Sequence, residues 1–292
     1  MIKNKNFGII GGDLRQYYLA KSLLSDGNHV SVFGLDKIPK KMDNFKKLSL
    51  NDVIKISDYI IFPVPFTRDG KTLNAPFTEN EININTQFLN LLKGKKSFMG
   101  IIVPYMNEYV KTGNTLIYDY YREDFIISNA LLTAEGAIKI FFENSLKSIS
   151  KCNCLVVGYG RIGKFLCEIL KNLGANVTAS ARNLKDKSMI QSKNYNFINT
   201  NKLKNAKNLQ SFDAIFNTVP QVIVSSDILK KLSKDVLLID LASMPGGIDK
   251  QSAEKLNLKL IHKLGIPGEY FPKSAGEIIK NTIYEIIKEE NI

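Results

Sequence analysis

Two doubly wound parallel-sheet α/β domains, separated by a cleft and bridged by helices, are what this sequence predicts. Three observations carry that prediction. A glycine fingerprint follows a short apolar run within Cys154–Asn183. An altered copy of the same pattern occupies residues 6–34. Between and beyond them, strand-like apolar runs alternate with segments of helical periodicity, as parallel sheets require.

The fingerprint comes first because the most chemistry attaches to it. Leu155, Val156 and Val157 form an apolar run of the kind buried on both faces of a sheet. Gly158, Gly160 and Gly163 then spell G-x-G-x-x-G, enclosing Arg161 and Ile162. Phe165, Leu166, Ile169, Leu170 and Leu173 follow at helical spacing, and Gly174 stands where a helix would stop. A second strand is expected over Asn176 to Ala181. In this Rossmann-like arrangement the first glycine allows a tight turn and the second lets backbone approach a pyrophosphate. The third permits close helix–strand packing. The helix N-terminus adds free N–H groups and partial positive charge. Gly158, Gly160, Arg161, Ile162 and Gly163 are therefore candidate cofactor contacts.

An NAD-selective site usually places a carboxylate at the end of the second strand. Here the residues are Ser180, Ala181, Arg182 and Asn183. A hydroxyl at Ser180 and the planar fork of Arg182 suit a 2′-phosphate, which favours NADP, with NAD the less favoured choice. The alternative for Arg182 is a solvated surface charge.

In residues 6–34 the run Phe7–Ile10 leads into Gly11, Gly12, Asp13, Leu14, Arg15 and Gln16. A helix bearing Leu19, Leu23 and Leu24 and a strand His29–Phe33 follow. Asp13 falls where the second fingerprint glycine stands and Gln16 where the third does. The βαβ architecture is repeated, but a carboxylate now occupies the pyrophosphate approach, so no dinucleotide is expected there. Asp13, Arg15 and Gln16 face a crevice at a helix N-terminus, as substrate ligands or as a satisfied turn.

Asp58–Val64 reads as a further buried strand, followed by a polar loop, Thr67 to Glu79, that is long for a plain connector. Lys96–Val103, Leu116–Tyr121 and Phe125–Ser128 read as strand or edge segments around Arg122, Glu123 and Asp124. Thr133–Lys147 is predicted helical, with Glu135 in its first turn. Glu135 is either a general base or an acid placed by the helix dipole. This helix is taken as the bridge, giving a first domain of residues 1–148 and a second of 149–273.

In the second domain Asp213–Val219 and Val236–Asp240 are predicted strands. Ser225 and Ser226 are candidate helix caps. Ligands of open α/β sheets lie outside the carboxyl ends of strands. Asn217, Thr218, Val219 and Pro220, and Ala242 and Ser243 of the DLASMPGG loop, are therefore expected to line the nicotinamide end. Leu258–Ile261 is a last strand, and His262 after it reads as structural. Ser274 and Glu277 suggest a capping box for a terminal helix, 274–290, whose apolar stripe is expected to dock on the first domain.

Composition narrows the function classes. The chain has 292 residues, 44% hydrophobic and 23% charged, as ordinary globular proteins do. No run approaches the roughly 20 apolar residues of a membrane span, and no signal peptide is read at the start. Forty basic against twenty-eight acidic residues give +12. The lysines are scattered and not gathered with aromatics into a stripe, which argues against nucleic acid; the field would favour an anionic substrate. Three cysteines and two histidines make no ordinary zinc site, so no metal is expected, and the unpaired cysteine count suits a reducing cytoplasm.

Several motifs together resemble the dipicolinate synthase A-subunit family. They are GGDLRQ at 11–16, the RED, SN and TAEG groups within 122–136, GYGRIG at 158–163, NTVP at 217–220, DLASMPGG at 240–247, and GIPG with KSAG within 265–276. Met244, where a basic residue is expected, and Leu131–Leu132, where proline is usual, depart from the pattern. The resemblance implies NADP-dependent oxidation of dihydrodipicolinate, or its hydroxylated tetrahydro precursor, to dipicolinate in the mother cell of a sporulating bacterium. It also implies a flavoprotein-like second subunit. A small dicarboxylate substrate would draw on Arg15, Arg68 and Arg122, with Asp13 and Glu135 as candidate bases. Rival readings are another two-domain NADP-dependent dehydrogenase of an amino or hydroxy acid, and a non-catalytic NADP-binding subunit. Oligomeric state, including a homo-oligomer, is left open.

Overall fold

Alternation along β1 (Asn6–Ile10) shows how the first sheet is built. Phe7 and Ile9 point into one apolar cluster and Ile10 into another, so both faces of the strand are covered. The computed structural model describes residues 2–39, 45–102 and 116–292. It divides into two compact units, 1–128 with 268–292, and 129–267.

The first unit runs β1, α1 (Leu14–Ser25), β2 (His29–Phe33), β3 (Lys46–Lys47), α2 (Leu50–Ile56), β4 (Tyr59–Ile61), α3 (Thr86–Leu91), β5 (Lys96–Met99), β6 (Leu116–Asp119) and the start of α4 (Glu123–Asn144). The second runs β7 (Asn153–Val157), α5 (Arg161–Asn172), β8 (Asn176–Ala181), α6 (Leu184–Ser192), β9 (Asn196–Asn199), β10 (Ala214–Asn217), α7 (Ser226–Leu229), β11 (Leu237–Asp240), α8 (Lys250–Lys255) and β12 (Lys259–His262). Two helices close the chain: α9 (Ile266–Tyr270), which carries it across to the first unit, and α10 (Pro272–Glu289).

Each unit holds a six-stranded sheet, ordered β3-β2-β1-β4-β5-β6 in one and β12-β11-β10-β7-β8-β9 in the other. All the described strand pairings within the two sheets are parallel. Both orders are the doubly wound one, so the strand order reverses beside β1 and beside β7. The two glycine turns follow those two strands.

The core of the first unit packs α1 and α10 together. Leu19 and Leu23 meet Ile279, Ile283 and Tyr284 in one cluster. The helices cross closely at Gly276, where a β-carbon would stand 2.7 Å from the Arg15 carbonyl oxygen and the Leu19 nitrogen. Tyr284 Oη donates to Asp26 at 3.0 Å, and Lys280 pairs with the same carboxylate at 2.8 Å. In the second unit Leu155, Val157, Ile215 and Leu238 form the sheet's share of the core.

Several sequence expectations change here. Phe125–Ser128 is helical, not extended, because α4 begins at Glu123 and not Thr133. Glu123 and Asp124 favour a start there by meeting the helix dipole. Glu135 consequently lies mid-helix. The units divide at 128–129, whereas the expected boundary was 148–149. The expected Ser274–Glu277 capping box is replaced by a start at Pro272, with Phe271 as N-cap and no side-chain cap bond. Ser225 likewise caps α7 without a side-chain bond. The strand expected at Lys96–Val103 ends at Met99, and Val103 lies outside the described residues. α4 has the length and apolarity of a membrane span, with mean hydropathy 1.5; 56% of its apolar window is buried inside the protein, as in a core helix.

Candidate functional site

β7 delivers Gly158 to the reversal point between β8 and β10. Gly158 has φ +97°, and a β-carbon there would lie 2.5 Å from Thr218 Oγ1. Gly163 sits so close beneath the turn that its β-carbon would be 2.1 Å from the Gly158 carbonyl oxygen. Gly160 differs from both. Nothing lies within 4 Å of its β-carbon position, and it opens α5 as an N-cap without a side-chain cap bond. The turn therefore offers open space at the head of a helix, which fits the pyrophosphate of a dinucleotide. Arg161 is exposed and Ile162 half-buried at that helix start.

The strand-end loops beside it are tied together by a buried acid. Asp240, 1% exposed, accepts from Asn217 Nδ2 at 2.7 Å and from the N–H groups of Ala242, Gly247 and Ile248 at 3.1, 2.8 and 3.1 Å. Asn217 Nδ2 also donates to the Val219 carbonyl, and Asn217 Oδ1 accepts from Val219 N. Thr218 Oγ1 donates to the Val157 carbonyl at 3.0 Å. His262 Nε2 donates to the Ala242 carbonyl at 2.8 Å, the structural part expected of it. Asn217 and Ala242 are buried, whereas Pro220, Ser243 and Met244 are exposed in these loops.

At the end of β8 the two residues expected to read a 2′-phosphate separate. Ser180 is wholly buried; its hydroxyl accepts from Thr200 at 3.1 Å and lies 3.4 Å from the Gly158 N–H, so it supports the turn from below. This corrects its expected role as a phosphate contact. Arg182 is exposed, next to Asn183, the N-cap of α6.

The altered turn of the first unit is occupied by its own chain. Asp13 caps α1 and accepts from Arg15 N, while Gln16 Oε1 accepts from Asp13 N, a complete capping box. The Gly12 N–H donates to the Asn74 carbonyl at 2.9 Å. Arg15 donates through Nε to Asp13 Oδ1 at 2.9 Å and through Nη2 to Asp13 Oδ2 and the Val64 carbonyl, both at 2.8 Å. Burial pushes the Asp13 carboxyl up, but hydrogen bonds and charge from Arg15, with the charge of Arg68, hold it below the usual range. Burial works against Arg15 too, yet Asp13 raises it above its ordinary value. Gln16 Nε2 is buried without a hydrogen-bond partner among the described residues.

The expected catalytic residues thus fall into separate places. Asp13 and Arg15 form an ion pair. Arg122 is bound elsewhere: its guanidinium takes both carboxylate oxygens of Glu289 and, through Nε, Asp124 at 3.1 Å. The guanidinium that the sequence offers to substrate is thus already paired in this structure. Glu135 is exposed on α4, and none of the described contacts joins it or Arg122 to the Asp13–Arg15 pair. Two residues that the sequence reading did not select, Asp240 and Asn74, hold the loops of the two turns. An acid ending an apolar strand before Gly-Gly was a readable signal for the first. Asn74 had none.

Comparison with known proteins gives a consistent picture. Residues 6–121 match the model of the dipicolinate synthase A-subunit N-terminal domain. Residues 133–248 match that of the D-isomer specific 2-hydroxyacid dehydrogenase, NAD binding domain. The dipicolinate synthase A-subunit of Bacillus subtilis (strain 168) is 27% identical over 292 residues, covering 99% of this chain and 98% of the relative. The crystal structure of the dipicolinate synthase A-subunit from Bacillus halodurans superposes with TM-score 0.84 at 27% identity, over 98% of this chain and 99% of that one. The corresponding Bacillus subtilis structure gives 0.83 at 27% identity, covering 99% and 97%. The expected resemblance and the pair of Rossmann-like domains are borne out. The match of the second unit supports a nicotinamide dinucleotide as cofactor and a dehydrogenase type of chemistry.

Proposed function

We propose, starting from a chain that resembles the dipicolinate synthase A-subunit over its whole length, that this protein oxidises dihydrodipicolinate, or, with loss of water, its hydroxylated tetrahydro precursor, to dipicolinate with NADP. The bound nicotinamide would supply the hydride acceptor, and formation of the aromatic ring would drive the step. The observation that carries the reading is the open, uncapped start of α5 at Gly160 in a chain of that likeness.

The chain's own residues then have distinct tasks. The first N–H groups of α5 bind the pyrophosphate, and Arg182 pairs with the 2′-phosphate through its fork. The loops braced by Asp240 line the nicotinamide end. Arg15 and Arg68 pair with the two substrate carboxylates. Asp13, held ionised by Arg15, is a weak proton acceptor and serves to fix that guanidinium. Glu135 remains the candidate base. The partner in this reading is a flavoprotein-like second subunit, and the setting is the cytoplasm of the mother cell.

A reconstituted assay with that partner, fed the dihydro compound with NADP and NAD in parallel, tests the reading. Pyridine dicarboxylate should form with a matching rise in nicotinamide absorbance, faster with NADP. Cofactor binding without turnover, with and without the partner, would point to a non-catalytic role. Turnover of amino or hydroxy acids alone would point to another dehydrogenase.

A further inference from the structure

Arg15 and Arg68, both in the first unit, are each held by a different neighbour. Arg15 spends Nε and Nη2 on Asp13 and Val64, and these bonds leave Nη1 aside. Arg68 is exposed, but its Nε donates to Asn74 Oδ1 at 3.2 Å. Asn74 is 8% exposed and uses every group it has. Its N–H donates to the Phe66 carbonyl at 2.8 Å, its carbonyl accepts from Gly12 N at 2.9 Å, and its Nδ2 donates to the Pro65 carbonyl at 3.1 Å. A residue tied at three points, two through its backbone and one through its side chain, is therefore the mount for one guanidinium.

That mount rests on the glycine turn that precedes Asp13 and Arg15. A β-carbon on Gly11 would stand 2.8 Å from Leu73 and 3.1 Å from Ala75, so the segment around Asn74 lies against the turn. Arg68 is near enough for its charge to act on the Asp13 carboxyl. Both guanidinium groups are thus set against one short piece of backbone at the carboxyl ends of β1 and β4, where a doubly wound sheet takes its ligand. A ligand with one carboxylate needs one fork; a ligand with two gains from both only if their separation is fixed beforehand.

We propose that Asn74 is a positioning residue for dicarboxylate recognition: by holding Arg68 against the turn that carries Arg15, it sets the spacing of the two cations. This rests on the reading that the first unit binds the two carboxylates of the substrate. Asn74 touches neither substrate nor cofactor, and acts through Arg68.

The test is calorimetric titration of the full chain, with NADP present, against pyridine-2,6-dicarboxylate and pyridine-2-carboxylate. The wild type should prefer the dicarboxylate by roughly thirtyfold or more, the worth of a second charged pair. Asn74→Ala should cut that ratio roughly tenfold, with affinities for the monocarboxylate and for NADP unchanged. Arg68→Ala should do the same, and the double variant should be no worse than Arg68→Ala alone, as coupled residues behave. A ratio preserved in Asn74→Ala, a parallel loss for all three ligands, or an additive double variant would overturn the inference and leave the functional reading standing. A wild type without preference would remove the functional reading and the inference with it. Should Asn74→Ala not fold, Asn74→Asp, whose carboxylate cannot donate to the Pro65 carbonyl, should also cut the preference; a preference kept in that folded variant would count against the proposal.

Discussion

Asn217 Nδ2 donates to the buried carboxylate of Asp240 at 2.7 Å, joining the ends of two adjacent strands, β10 and β11. That bond and three from backbone N–H groups make Asp240 the anchor of the whole DLASMPGG loop. Asp240→Ala strands these donors in a site closed to water, at about 1–3 kcal/mol for each one left unpaired. The expected loss in urea unfolding is on the order of 3 kcal/mol or more. Cofactor affinity should fall with it, since the loop would lose its brace.

The three glycines of the second turn should respond differently to alanine. Gly163→Ala puts a carbon 2.1 Å from the Gly158 carbonyl oxygen, a backbone atom that cannot swing away. Helix and strand must separate, and both melting temperature and dinucleotide affinity should drop sharply. Gly160→Ala meets nothing within 4 Å, and its φ of −80° suits alanine. Its melting temperature should shift by only a few degrees, while cofactor affinity measured by calorimetry falls roughly tenfold or more. If Gly160→Ala binds as the wild type does, the pyrophosphate does not approach there.

How far the sequence foretold this can be read from particular residues. His29–Phe33 and Asn176–Ala181 were legible to their end residues because a turn signal bounds each apolar run. The glycine spacing was legible because each position answers a separate steric demand. Lys46–Lys47 and Asn196–Asn199, edge strands with little burial, carry too weak an apolar signal to read. Ser180 pointed the wrong way because strand alternation gives a face, and which face meets another element is decided by chain far away, here Thr200. The pairing of Arg122 escapes sequence reading for a similar reason: its partner Glu289 comes from the far end of the chain. The role of Asn74 depends on how a long loop folds. Asp69 organises that loop by accepting from Thr67, Lys71 and Thr72, a local pattern invisible to periodicity.

Arg182 should separate the two cofactors. It is exposed, and no described ion pair occupies it. Arg182→Ala should weaken NADP roughly tenfold or more and leave NAD within about twofold. The NADP preference should also shrink with added salt, as an exposed charge pair requires. Equal effects on both cofactors would remove the guanidinium from the 2′-phosphate.

Arg122 and Arg15, both expected from sequence to be substrate cations, should behave as opposites. Arg122 is engaged by Glu289 and Asp124 at the surface, between the start of α4 and the end of α10. Arg122→Ala and Glu289→Ala should each lower stability slightly, with a double variant less destabilised than their sum. Neither should change kcat. The Glu289 carboxyl is held below its usual range by the hydrogen bond from Arg122, against the opposing effect of desolvation and with the help of the Arg122 charge. The pair's contribution is therefore fully present above the unfolded carboxyl's range and is lost as pH falls through the lower folded value. Wild type and Glu289→Ala should differ in melting temperature at neutral pH and converge in strong acid. Arg15→Ala, by contrast, leaves Asp13 without its cation at the glycine turn of the first unit. It should cost at least a hundredfold in kcat/KM for the dicarboxylate, about 2.7 kcal/mol. A variant of Arg122 with that loss, and one of Arg15 without it, would reverse the assignment.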